Sequence, residues 1–162
     1  MKLLLVPIFV VLLDQITKIS VKNYFIENNL FYTRINFFGD SFRLVFVENP
    51  GIAFGIDTSN IHLFITIFTF LAIIFILYQL IYCINTNSYE KLSLSFILGG
   101  AVGNFIDRFL VLLPSFNYNG VIDFIDIGIG GFRWYTFNLA DASISIGLVI
   151  YLYQTYFSKR VN

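Results

Sequence analysis

The sequence predicts a mainly α, polytopic membrane protein in a single domain, with four transmembrane helices and two longer loops on one side. Three observations carry that prediction. Of the 162 residues, 57% are hydrophobic and only 12% are charged, whereas a soluble domain carries about 25% charged residues. The chain also holds 20 Phe, more than a soluble core of this length could hide. Finally, apolar runs recur four times, each close to the ~20 residues that cross a hydrocarbon layer ~30 Å thick. The net charge is zero, so there is no basic footprint for nucleic acid. The single cysteine, Cys83, excludes an internal disulfide and a multi-cysteine metal site.

Each element follows from its residues. The run over residues 3–21 opens like a secretory signal, but no small-x-small cleavage site follows and it continues into DQITKISV. It is therefore a retained first span, and Pro7 near its start is tolerable in a membrane helix. Residues 22–60 form an outer loop of mixed character. Short β-prone runs, clearest over 42–47, are broken by Gly39, Asn49-Pro50 and Gly51, which predicts a small sheet or hairpin at the membrane surface. Phe31, Tyr32, Phe37 and Phe38 suit the interfacial zone where aromatic rings settle. The uninterrupted apolar run over 61–84 is the second span. The polar link NTNSYEK leads to the third, 92–113, with GGAVGNFIDR in its later half. Residues 114–136 read as an irregular, Gly-rich and aromatic loop, and 137–157 form the fourth span. Four spans put both termini on one side. Lys2, Lys91, Lys159 and Arg160, packed tightly at span ends, make that side the cytoplasmic one.

That topology gathers the unusual residues at one membrane face. Asp14, Gln15 and Lys18 lie late in span one, and Asn49 and Gly51 precede span two. Asn104, Asp107 and Arg108 lie late in span three, and Asn138 and Asp141 open span four. Asp123 sits in the loop between the last two. The opposite halves of the spans (for instance 70–77 and 144–153) contain no charge. Asp14 and Lys18 are i,i+4 and can pair on one helix face, as can the i,i+3,i+4 set Asn104, Asp107 and Arg108. Gly99 and Gly103 have the GxxxG spacing that lets helix backbones approach, and Ser143 and Gly147 repeat it on span four. Bland readings stand beside these. Asp14–Lys18 and Asp107–Arg108 suit structural ion pairs, since a charge in a membrane needs a partner. Asp141 suits the first turn of a helix, where the macrodipole favours a carboxylate. His62 reads as interfacial, and Cys83 as a packed thiol.

Chemistry narrows by elimination. There is no HExxH for a zinc protease and no GxSxG elbow. The only His and the only Cys lie at opposite ends of span two. Carboxylates remain, with Asn and Arg as orienting groups. Two aspartates sharing a site hold one proton between them, because both cannot easily ionise. The ionised member takes a proton from water, and the protonated member polarises a carbonyl and then protonates a leaving amine. Asp123 and Asp126 both compete to partner Asp141. A small ion- or proton-coupled transporter is the rival reading, although alternating access needs polar groups reaching both sides. A non-catalytic lipid-binding or assembly factor is the third.

The blocks DQITK (14–18), NPGIAF (49–54), GGAVGNFIDR (99–108), VIDFID (121–126) and FNLAD (137–141), in that order, resemble lipoprotein signal peptidase, also called signal peptidase II. The resemblance covers essentially the whole chain. It implies a bacterial membrane aspartyl endopeptidase that cleaves prolipoproteins just before a diacylglyceryl-modified cysteine. It places the catalytic pair on Asp123 and Asp141 and demotes Asp126. Asn49, Gly51, Asn104, Arg108 and Asn138 match positions that line the site, and Asp14, Lys18 and Asp107 match polar support. It further implies an extracytoplasmic β-cradle, a short loop helix over the site, and block by globomycin-like inhibitors. No metal or cofactor is called for. The expected setting is the bacterial cell membrane (the inner one in a Gram-negative cell), among membrane lipids and as a monomer. The aromatic run over 131–137 is a candidate lid.

Overall fold

The computed structural model describes residues 4–50, 61–83 and 88–157. Among them are four long helices, α1 (Leu5–Glu27), α2 (His62–Tyr82), α3 (Ser88–Val111) and α4 (Leu139–Phe157), and four short strands. The strands are β1 (Ile35–Phe38), β2 (Phe42–Asn49), β3 (Val121–Ile129) and β4 (Phe132–Arg133), paired antiparallel in the order β1-β2-β3-β4. Helix α2 and the Tyr89–Val111 part of α3 are each long and apolar enough to cross a membrane. Helices α1 and α4 are of similar length. All four expose large apolar side chains, among them Phe9 and Leu12, Phe68 and Phe75, Phe109, and Val149 and Leu152.

The structure corrects the outer loops in two places. Residues 22–27, expected in the first loop, continue α1. Their reason is packing: Val21 and Phe25 are one turn apart and close a core with Ile122 and Phe124 of the sheet. Phe25 is fully buried there, worth roughly 2–3 kcal/mol in removed apolar surface. The helix runs on to Glu27 because the sheet gives its last turns something to cover.

The second correction concerns residues 114–136, about half of which are strand. Residues Val121 to Phe124 of β3 are buried in unbroken sequence, so the alternation that marks a half-buried strand is missing. Gly130 and Gly131 both have positive φ, the requirement of a two-residue type I′ hairpin turn. They fold β4 back onto the end of β3. The helical part of this loop is a single 3-10 turn, Pro114–Phe116, and it does not line the cleft described below.

Small residues set the helix spacing. A β-carbon on Gly100 would strike the Ala140 carbonyl oxygen, and one on Gly147 would lie 2.7 Å from the Ser93 carbonyl oxygen. Ser143 Oγ donates to the Phe96 carbonyl at 2.8 Å. The GxxxG residues differ in what they face. Gly99 meets Val10 of α1, and Gly103 meets both Asp14 of α1 and Ala140 of α4. Helix α3 thus touches α1 and α4 at once, at the level where the polar side chains gather.

Candidate active site

The polar residues of three helices and two strands meet in a single layer. Asn138 is the residue before α4, and Asp141 is its third position. The Asn138 Oδ1 accepts from the Asp141 backbone N–H at 2.9 Å, and Asp141 Oδ2 accepts from the Asn138 N–H at 3.3 Å. This reciprocal pair is a capping box. The bland reading of Asp141 is therefore correct, and it also fixes where the carboxylate stands.

Asp123 arrives from β3. The backbone of Phe137 pairs with that of Ile125, with N–H···O bonds of 2.8 and 3.0 Å. That bridge lands Asn138 beside Asp123, and Asn138 Nδ2 donates to Asp123 Oδ1 at 2.7 Å. On the other side, β2 pairs with β3 so that Asn49 faces Val121, two residues from Asp123. Asn49 Nδ2 donates to Asp123 Oδ2 at 3.0 Å. Burial and the nearby charge of Asp141 push the Asp123 carboxyl up to about 7, against the two amide donors that favour its ionised form.

Asn104 joins the two carboxylates. Its Nδ2 donates to Asp141 Oδ1 at 2.7 Å, and its Oδ1 accepts from Asn138 Nδ2 at 3.1 Å and from Lys18 Nζ at 3.0 Å. Lys18 is completely buried, as are Asp14 and Asp107. Its Nζ lies 2.8 Å from Asp14 Oδ2 and 3.0 Å from Asp107 Oδ2. Gln15 Nε2 donates to Asp107 Oδ1 at 3.0 Å and to the Gly103 carbonyl at 3.1 Å.

A cleft of about 580 Å³ opens over this layer, lined by Asn49, Asn104, Arg108, Asp123 and Asp141 on its polar side. Trp134, Tyr135, Thr136 and Phe137 form a wall, and Trp134 and Tyr135 are more than half exposed. Asp123 and Asp141 thus share one cavity, with an amide bridge between them and a guanidinium beside them.

Of the expected residues, Asn49, Asn104, Arg108, Asp123 and Asp141 line the cleft, while Asn138, Asp14, Lys18 and Asp107 are fully buried behind it. Gly51 lies outside the described residues. The expected Asp107–Arg108 pair is corrected: Asp107 pairs with Lys18, while Arg108 Nη1 donates to the Asn104 carbonyl at 3.2 Å and turns to the cleft. Adjacent helix positions point about 100° apart, so neighbours in sequence do not face each other. Asp126 is engaged elsewhere. It lies three residues from Asp123 on a strand, hence on the opposite face, and pairs with Arg133 at 2.7 Å. Sequence reasoning missed Arg133 as that partner. Its signal was the Gly-Gly turn, which brings residue 133 back to the level of 126–128.

The profile of the family described as signal peptidase (SPase) II matches residues 6–157. The "Lipoprotein signal peptidase" of Janthinobacterium sp. (strain Marseille) is 41% identical over 150 residues, covering 89% of this chain and 81% of that protein. The protein of the same description from Borreliella burgdorferi (strain ZS7) is 38% identical, with 94% and 88% covered. A solved bacterial membrane enzyme, determined by the in meso method at 2.3 Å resolution, matches with a TM-score of 0.70 at 30% identity. The match covers 96% of this chain and 90% of that one. With a profile spanning nearly its full length and relatives well above a third identical, the chain belongs to the signal peptidase II family.

Proposed function

We propose that this membrane peptidase removes the signal peptide of diacylglyceryl-modified prolipoproteins, cutting before the lipidated cysteine, with Asp123 and Asp141 as its catalytic pair. Membership of the family makes the chain an aspartic-type signal peptidase. The observation that carries the choice of residues is the shared cleft. Asp123 and Asp141 both line it, each is held by an asparagine amide, and Arg108 lines it with them.

The chemistry then divides between the two carboxyls. Asp123 holds the proton near neutral pH, since burial and the Asp141 charge both resist its ionisation. Asp141 is the base that takes a proton from the attacking water. Asp123 polarises the scissile carbonyl and delivers its proton to the departing amine. Arg108 spends one donor on the Asn104 carbonyl and offers the rest of its guanidinium to the oxygen that gains charge during attack. Water attacks the carbonyl carbon, the C–N bond breaks, and the dyad ends with one proton, as it began.

All four helices span the membrane in this reading, with both termini cytoplasmic and the cleft near the extracytoplasmic face. The exposed apolar side chains of α1 and α4 support the two spans that composition leaves open. The sheet then lies at headgroup level, and residues 131–137 act as the lid. A diacylglyceryl cysteine keeps its acyl chains in lipid while its peptide bond reaches the carboxyls. One copy of the chain supplies both carboxyls, in keeping with a monomer, and inhibitors of the globomycin type would compete for the same cleft. A transporter would need charge or polarity deep in the spans, yet residues 70–77 and 144–153 carry no charge.

The test is cleavage of a lipidated precursor by purified protein. Asp123→Asn and Asp141→Asn each lose at least ~1,000-fold in rate while remaining folded. Full activity in either variant would sink the assignment.

A further inference from the structure

The buried ions behind the cleft are arranged in a way that charge compensation alone does not require. Lys18 has three N–H donors and no acceptor, and each donor has one partner: Asp14 Oδ2, Asp107 Oδ2 and Asn104 Oδ1. Each of those partners holds part of the dyad. Asp14 Oδ1 accepts the backbone N–H of Ala140 at 2.9 Å, the residue immediately before Asp141. Asp107 Oδ2 accepts the backbone N–H of Ile122 at 3.1 Å, the residue immediately before Asp123. Asn104 donates to the Asp141 carboxylate itself.

The third contact also fixes a direction. An ammonium can only donate, so the face of the Asn104 amide turned to Lys18 must be its oxygen. Its NH2 is thereby committed to Asp141. In the same way the Asp141 N–H claims the Asn138 oxygen, which commits the Asn138 NH2 to Asp123.

We propose that Lys18 is a positioning residue for hydrolysis. Through the Asn104 amide it orients the Asp141 carboxylate without touching substrate. The proposal rests on the catalytic pair named above. It differs from a purely structural ion pair in one respect: stability and turnover answer to different bonds of the same ammonium. Stability answers to the two carboxylates it neutralises. Turnover answers to the amide it orients.

Two variants separate these roles. Lys18→Met removes the donors and leaves two buried carboxylates uncompensated, so it loses both stability and rate. Lys18→Met/Asp107→Asn removes one of those carboxylates as well. In detergent-solubilised protein the double variant recovers thermal stability relative to Lys18→Met. Its kcat on a lipidated precursor stays about 100-fold below wild type, the scale of an ~1 Å misplacement, with KM within a few-fold. Recovery of kcat in step with stability overturns the proposal. So does failure of both variants to accumulate as folded protein, which would make Lys18 a requirement of the fold alone. Asp141→Asn, measured on the same substrate, reports separately on the catalytic pair: if it retains activity, the pair is wrong, whatever Lys18 does.

Discussion

The layer contains four carboxylates held in two different ways. Asp14 and Asp107 have a lysine between them and no exposure. Asp123 and Asp141 have asparagine amides as their close donors and face an open cleft. An ammonium neutralises a buried carboxylate, and the pair then resists change because removing either partner leaves an unpaired charge. An amide positions a carboxylate without neutralising it. The Asp123 carboxyl is nonetheless raised to about 7, because burial and the Asp141 charge outweigh its two amide donors. Positioning by dipoles and positioning by ions give the same geometric order but opposite chemical consequences.

The contrast can be broken most severely at Asn138. Replacing it by Ala removes the donor to Asp123 and the cap of α4 together. Turnover of a lipidated precursor falls by about 100-fold, and the protein loses about 1 kcal/mol of stability, measurable by thermal unfolding in detergent. A subtler effect is expected from pH. The native Asp123 carboxyl is raised from the ordinary 3.8 to about 7. Folded protein therefore keeps a proton that unfolded chain releases, and stability declines as pH rises between those values. Asp123→Asn lacks this dependence. Its melting temperature minus that of wild type increases from pH 4 to pH 7 and then levels off; a constant difference would show that Asp123 is ionised throughout. The smallest effect belongs to Asp126→Asn. Its pair with Arg133 is partly exposed, so the stability loss is about 1 kcal/mol or less and most cleavage activity remains. Activity as low as that of Asp123→Asn would move the dyad to the other face of β3.

The sequence made the polar layer legible because topology alone brings the ends of α1, α3 and α4 together, and because Asn138 and Asp141 carry helix-start spacing. Three features stayed hidden. The strand nature of VIDFID was masked by burial on both faces, which erases alternation. The extension of α1 to Glu27 was masked because its polar letters look like a loop, while Val21 and Phe25 find their partners about 100 residues later, in β3. The partner of Asp107 was misjudged because Arg108 is its neighbour in sequence but Lys18 is its neighbour in space. In each case the deciding contact is long-range, and local pattern is silent about it.

The capping box at Asn138 and Asp141 has a consequence for how the molecule is made. The side chain proposed as the base is the same one that caps the last helix. A copy in which Asp141 is misplaced is therefore a copy whose last helix has not properly begun. Such a copy loses the geometry of the cleft and the stability of its last helix through one and the same fault.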